Sequence, residues 1–201
     1  MNKQMYIYGA SGHGKVILDC LEANGIEVKA FVDDDPDKEE FLGFSVVRSN
    51  ELNGSAEQVV MGIGNNAIRK MLVEKFLFKS PVVCHSSSAI SSRAEVEEGT
   101  VVFHNAVIQS GSKIGKHCII NTRASIDHDC EIGDYVHISP GSILCGNVTV
   151  GEGTWVGAGS TIIQGVTIGK NVMVGAGSVI RKNVPDNVLV VGNPARILRK
   201  L

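Results

Sequence analysis

"GSKIGKHCIINTRASIDHDCEIGD", residues 111–134, carries an isoleucine at every sixth position: Ile114, Ile120, Ile126 and Ile132. The interval runs on in both directions without an insertion. Upstream stand Ile90, Val96, Val102 and Ile108; downstream stand Ile138, Leu144, Val150, Val156, Ile162, Ile168, Val174 and Ile180. Two residues before each aliphatic is a small side chain or valine, from Ser88 and Ala94 through Cys118, Ala124 and Cys130 to Ser178. A period of six matches neither a helix, at about 3.6, nor one long alternating strand. It matches a short strand with two inward side chains and then a turn, wound as a solenoid whose repeats bury one another. A chance β-rich stretch would lose register somewhere along this series, and this one does not.

The pattern resembles the hexapeptide-repeat acyltransferases, whose repeat reads aliphatic-Gly-x-x-small-x. That resemblance implies a left-handed parallel β-helix, an exception to the usual right-handed crossover. Three hexapeptides, about 18 residues, then make one triangular coil with neighbouring strands about 4.8 Å apart. The outward residue before each aliphatic reports a face. Glu95, Lys113, Glu131, Thr149 and Thr167 describe a solvated face; Val107, Ser125, Ile143, Thr161 and Val179 a mixed one; Val101, Ile119, His137, Trp155 and Met173 an apolar one. A long apolar stripe does not stay wet. The expectation is that another subunit covers it, and the family's trimers point the same way. Between the mixed and apolar faces lie Ser139-Pro140-Gly141, Gly157-Ala158-Gly159 and Gly175-Ala176-Gly177, small enough for an extended ligand to approach the backbone.

Ahead of the repeat, "MYIYGASGHGKVILDCLEANGIEVKAFVDDDP" (residues 5–36) reads strand, glycine-rich turn, amphipathic helix and second strand. The turn is G-x-x-G-x-G rather than the dinucleotide G-x-G-x-x-G, and fewer than ninety residues precede the repeat. Half a Rossmann unit fits there, with backbone N–H groups free to meet a phosphate or ribose. The expected organisation is an α/β half-Rossmann nucleotide-binding domain, residues 1–84, followed by a left-handed β-helix with a C-terminal tail, residues 85–201.

"YIYGASGHG", "VDD", "IGNNAIRK", "NTRASIDHDC" and "CGNVTVG" together resemble the UDP-4-amino-sugar N-acetyltransferases of the bacillosamine pathway, with the sialic acid O-acetyltransferases as relatives. The resemblance implies that Ser11, Gly12, His13, Asp33, Asp34 and Gly64 hold the nucleotide and that Asn121 contacts the acceptor sugar. It implies that His137, Ala158 and Ala176 lie along acetyl-CoA, the co-substrate.

His128 lies two residues past Ile126, so it projects outward at a corner between Asp127 and Asp129. Flanking carboxylates raise an imidazole's basicity, and a base poised near neutral pH suits acyl transfer to an amine. One coil on stands Gly146, whose unobstructed N–H can face a developing oxyanion. The resemblance makes His128 the general base and its acidic neighbour, usually glutamate and here Asp129, the group that tunes it; Asp127 is the rival. The remaining histidines lack metal-ligand spacing, so no metal is expected. The tail "VVGNPARILRK" resembles the family's closing motif, with Arg196, Arg199 and Lys200 as candidate contacts for CoA phosphates.

A net charge of −2 leaves no footprint for nucleic acid or anionic lipid, and no apolar run is long enough to span a bilayer. Five cysteines without a CxxC pair, and no signal peptide, suggest free thiols in the cytoplasm. The sequence therefore predicts a cytoplasmic, homotrimeric acetyl-CoA-dependent N-acetyltransferase acting on a nucleotide-linked amino sugar. A sugar O-acetyltransferase and a non-catalytic nucleotide-sugar scaffold are the alternatives.

Overall fold

The computed structural model of the chain describes residues 5–52 and 57–201. Each hexapeptide forms a two-residue strand paired in parallel with the strand one coil away. Val107 pairs with Ser125, Lys113 with Glu131 and Ile119 with His137. Three stacked sheets result, and they are the mixed, solvated and apolar faces read from the sequence. The first strand in the prism is Val83–Cys84, where cysteine occupies the aliphatic position and pairs with Val102.

The two inward positions of each repeat do different work. The aliphatics, such as Ile120, Ile126, Ile138 and Leu144, are wholly buried; each contributes roughly 1.5–3 kcal/mol of transfer free energy. The small residues turn a hydroxyl onto a corner carbonyl. Thr100 donates to Gly115 at 2.7 Å, Ser112 to Asp127 at 2.6 Å and Ser142 to Gly157 at 2.9 Å. A larger side chain would not fit, and an unpaired hydroxyl there would be costly. Three residues past each aliphatic from Val96 to Val174 the backbone turns left-handed, which explains Gly111 and Gly141 as well as Asn105, Asn147 and Asp129. Asn and Asp tolerate that region better than most residues.

The N-terminal layer is a five-stranded sheet with β1 (Met5–Tyr8) between β2 (Val28–Val32) and β5 (Gln58–Met61), all parallel. The hairpin β3 (Glu40–Phe41) and β4 (Phe44–Val47) extends it beyond β2. Helix α1 (Gly12–Glu22) buries Ile17, Leu18, Cys20 and Leu21 against the sheet. Helix α2 (Asn66–Phe76) begins at Asn65, whose side chain accepts from the Ile68 N–H at 3.0 Å.

Here the structure corrects one expectation. Val101 and Ile119 of the apolar face are not left for another subunit. They are buried in one cluster with Met5, Ile7, Ile17 and Phe31, so the chain's own N-terminal layer covers the early coils. Only the later residues, Trp155 and Met173, remain accessible. The apolar stripe is thus largely an internal seam between the two halves of the chain. At the far end, Val188–Gly192 joins the same face and pairs antiparallel with Ala195–Lys200. Among the described residues no helix is long and apolar enough to cross a membrane.

Candidate active site

On the edge between the mixed and solvated faces, His128 stands exposed with its Nδ1 2.9 Å from Asp129 Oδ2. Asp129 occupies the left-handed corner position, with φ of 58°, and its short arm still reaches the ring. Asp127 is turned elsewhere: its Oδ1 accepts from the His128 backbone N–H at 2.8 Å. The bond to Asp129, followed by the charge of Asp127, raises the imidazole above its ordinary value. With Nδ1–H given to the carboxylate, Nε2 is the nitrogen left to accept a proton.

Gly146 stacks on that ring. A Cβ there would lie 2.5 Å from His128 Cε1 and 2.6 Å from Nε2, so only glycine leaves the ring its place. Its N–H is also free, and the sequence explains why. At the equivalent corner one coil earlier, Asp127 caps the N–H of His128; the residue before Gly146 is Cys145, which has no oxygen to offer. Among the described residues nothing accepts from the Gly146 N–H. A base and an unpaired backbone donor therefore share one edge.

A groove of about 410 Å³ opens along the later coils of the apolar face and its edge with the mixed face. His137, Ala158 and Ala176, the three residues assigned to acetyl-CoA, all line it, with Trp155 and Met173 beside them. The Trp155 ring stacks on His137 at 5.0 Å between centroids, and its Nε1–H donates to Ser139 at 2.8 Å. His137 is buried, and burial pushes its imidazole down to about 3. Asn121 is buried as well: its amide lies 3.0 Å from His137 Nε2, so it braces that ring from the coil before. Of the tail residues, Arg196 lines a separate cleft of about 270 Å³ with Arg181 and Lys182, whereas Arg199 does not line it.

The glycine-rich turn divides by role. A Cβ at Gly9 or Gly62 would strike backbone oxygens at 2.9 and 2.8 Å, so those two serve the packing of strand on turn. Gly12 meets nothing within 4 Å and is exposed beside Ser11, as a ligand-facing residue would be. His13 packs its ring 5.4 Å from Phe103 and 5.7 Å from His137, and it faces Gly64. The two aspartates after β2 also differ. Asp34 is fully engaged, taking the Tyr8 hydroxyl at 2.8 Å and the Ser49 N–H and hydroxyl at 2.9 Å each. Asp33 accepts from the Ala10 N–H and from Lys38, fixing the first turn against the end of β2.

Three groups of residues are thus assembled: His128, Asp129 and Gly146; His137, Ala158 and Ala176; and Ser11, Gly12, His13 and Gly64, with Asn121 at the boundary of the last two. The structure does not join the first group to the others. His128 stands on the edge opposite the apolar face, which carries the N-terminal layer. Sequence reading gave no role to Asn66 and Arg69, although both lie within "IGNNAIRK". Both are buried against the prism.

Residues 4–76 match the family model described as PglD N-terminal domain, and residues 111–146 and 147–182 match bacterial transferase hexapeptide (six repeats). The chain is similar to the acetyltransferase domain of PglB from Neisseria gonorrhoeae at 37% identity, covering 98% of this chain and 100% of that one, with a TM-score of 0.93. That domain has also been solved with acetyl coenzyme A. A variant of perosamine N-acetyltransferase from Caulobacter crescentus, solved with CoA and GDP-perosamine, is 38% identical over 96% of each chain, with a TM-score of 0.92. WeeI from Acinetobacter baumannii is 32% identical over 97% of this chain and 100% of that chain, with a TM-score of 0.88.

Proposed function

We propose a specific reaction for this chain, which belongs to the hexapeptide-repeat sugar acetyltransferases that carry a PglD N-terminal domain: transfer of acetyl from acetyl-CoA to the amine of a nucleotide-linked 4-amino-4,6-dideoxy hexose, with UDP as the nucleotide. The observation that carries this reading is the His128–Asp129 pair beneath the free Gly146 N–H. The sugar amine attacks the thioester carbonyl carbon directly. Nε2 of His128 takes the amine proton, and the Gly146 N–H bonds the oxygen on which charge develops. The carbon–sulfur bond then breaks, CoA leaves as the thiol with that proton, and no acyl-enzyme forms. UDP is supported by the likeness of "YIYGASGHG", "VDD" and "NTRASIDHDC" to enzymes acting on UDP-linked sugars.

The working site is assigned to a homotrimer. One copy holds its nucleotide turn on the apolar face and its base on the opposite edge. A second copy is needed to bring a base edge against the groove, and threefold closure repeats that contact. Free thiols suit a cytoplasmic setting.

The test is a thermal-shift screen of UDP-, GDP- and dTDP-linked 4-amino sugars with and without CoA, followed by CoA-thiol release with those that bind. A native-state ligand at about a hundred times its Kd stabilises by about 2.7 kcal/mol. A UDP sugar should raise the melting temperature and release thiol. A response to the GDP sugar alone would reassign the nucleotide; transfer to hydroxyl sugars but not amines would favour an O-acetyltransferase.

A further inference from the structure

Arg69, on the first turn of α2, is the largest fully buried side chain, with 1% of its surface exposed. A guanidinium carries five N–H donors in a rigid fork, and here all of them meet neutral oxygens. Nε reaches the His117 carbonyl at 2.8 Å, and Nη1 reaches those of Ile63 and Gly64 at 2.9 and 3.3 Å. Nη2 takes the Asn66 side-chain oxygen at 2.8 Å and the Tyr135 carbonyl at 3.0 Å. The fork therefore joins the turn after β5, the start of α2 and two stacked corners of the prism. Neighbouring contacts hold the same edge: Asn66 donates to the carbonyls of Gly153 and Thr154, and Lys70 pairs with Glu152 at 2.6 Å.

Among the described residues no carboxylate pairs with Arg69. Burying a cation without a counter-ion is costly, and well-packed apolar side chains commonly fill such a place at lower cost. That cost points to registration rather than stability. Two histidines occupy the seam beside the fork. His13 faces Gly64, its ring is 5.7 Å from that of His137, and His137 lines the groove. His13 Nε2 and His137 Nδ1 are buried and make no hydrogen bond of ordinary geometry, although His137 also meets the Gly64 backbone.

We propose that Arg69 is a positioning residue: it registers the Gly64 turn, and with it His13, against the groove-lining His137, so that the nucleotide and acyl halves of the site share one frame. The proposal rests on assigning that turn to the nucleotide and adds what holds it in place. Burial is the first reason that both rings are less basic than a free histidine; the Arg69 charge adds to it at His13, and His13 and then Arg69 add to it at His137. The charged and titratable groups acting on the pair are Arg69 and the rings themselves.

Arg69→Lys keeps the charge and loses the fork; Arg69→Met loses both. Each is compared with the wild-type protein by kinetics and by NMR titration of the histidine rings. In Arg69→Lys the KM for the nucleotide sugar should rise about tenfold while kcat and the KM for acetyl-CoA change less than about threefold. Its His13 and His137 should titrate as they do in the wild type, because the charge is kept. Arg69→Met should show the same KM split, and its His13 should titrate at higher pH than in the wild type. Unchanged kinetics in both folded variants would overturn the proposal. So would an Arg69→Lys protein that does not fold, since Arg69 would then serve stability alone. If the wild type binds no nucleotide sugar, the functional assignment fails separately. In that case a raised His13 titration in Arg69→Met still supports the seam, and an unmoved one overturns it.

Discussion

His128 stands out from its edge with Asp129 on Nδ1 and its basicity raised, whereas His137, half a coil further on, lies under His13 and Trp155 with its imidazole pushed down to about 3. Both belong to the same repeat. One is a corner residue on an edge that nothing among the described residues covers; the other is an outward strand residue on the face where the N-terminal layer docks. The solenoid by itself points both rings away from its core; Asp129 raises the basicity of the uncovered one, and the docking layer buries the other and lowers that ring's basicity. A hexapeptide prism is therefore a neutral frame, and the chemistry of each position is decided by what lies against it.

The sharpest way to break this contrast is to exchange the roles. His128→Gln removes the only acceptor nitrogen beneath Gly146 and should lower kcat by about 10²–10⁴-fold, with CoA and nucleotide-sugar binding retained by calorimetry. His137→Gln should not approach that loss in kcat. If the two variants proved equally damaged in kcat, His128 would lose its special place.

A smaller effect is expected from Gly146→Ala. The new Cβ, 2.5 Å from His128 Cε1, must displace the ring and crowd the free N–H. A kcat loss of about 10- to 100-fold with little change in either KM is expected; steady-state kinetics decides it. A variant at wild-type speed would remove the oxyanion role.

For His137 the readout is stability. Its value is lowered on folding, so the unfolded chain binds the extra proton as pH falls. The stability from keeping it neutral is complete above about 6.5 and is lost as pH falls towards about 3. Urea unfolding across that window should show a slope of up to about 1.4 kcal/mol per pH unit from this group, and His137→Gln should flatten it. An identical slope in the variant would mean that the ring already protonates in the folded protein.

The smallest effect belongs to Asp129→Asn. A base works only when neutral, so activity rises with pH through the His128 value. Asp129 holds that value up, and its loss should move the rise to lower pH while lowering the plateau several-fold through a weaker, less oriented base. A pH–kcat/KM profile that does not move would hand the tuning role to Asp127.

Much of this was legible beforehand. The spacing of Ile90 to Ile180 specified the stacking, and with it the prediction that Gly146 lies over His128 and that Ala158 and Ala176 share a line. Periodicity is local arithmetic, because strand register in a solenoid follows the chain. The early part of the apolar stripe was read correctly as a buried surface but given the wrong cover at Val101 and Ile119. A burial pattern says that water is excluded and not what excludes it. Arg69 was passed over for a related reason: a charged residue on a helix is ordinarily solvated, and only five carbonyl and amide oxygens converging from three segments make it otherwise. Asp34, read as a nucleotide contact, also accepts from Tyr8 and Ser49, a bracing role that no local spacing shows.

The sequence alone determined the prism, its three faces and the corner positions of His128, Asp129 and Gly146, because each follows from a six-residue repeat acting on its nearest neighbours. Tertiary structure decided which face the N-terminal layer covers, that His137 is buried and its basicity lowered, and that the His128 edge lies opposite the glycine-rich turn. Those outcomes depend on contacts between residues far apart in the chain, and no local period encodes them.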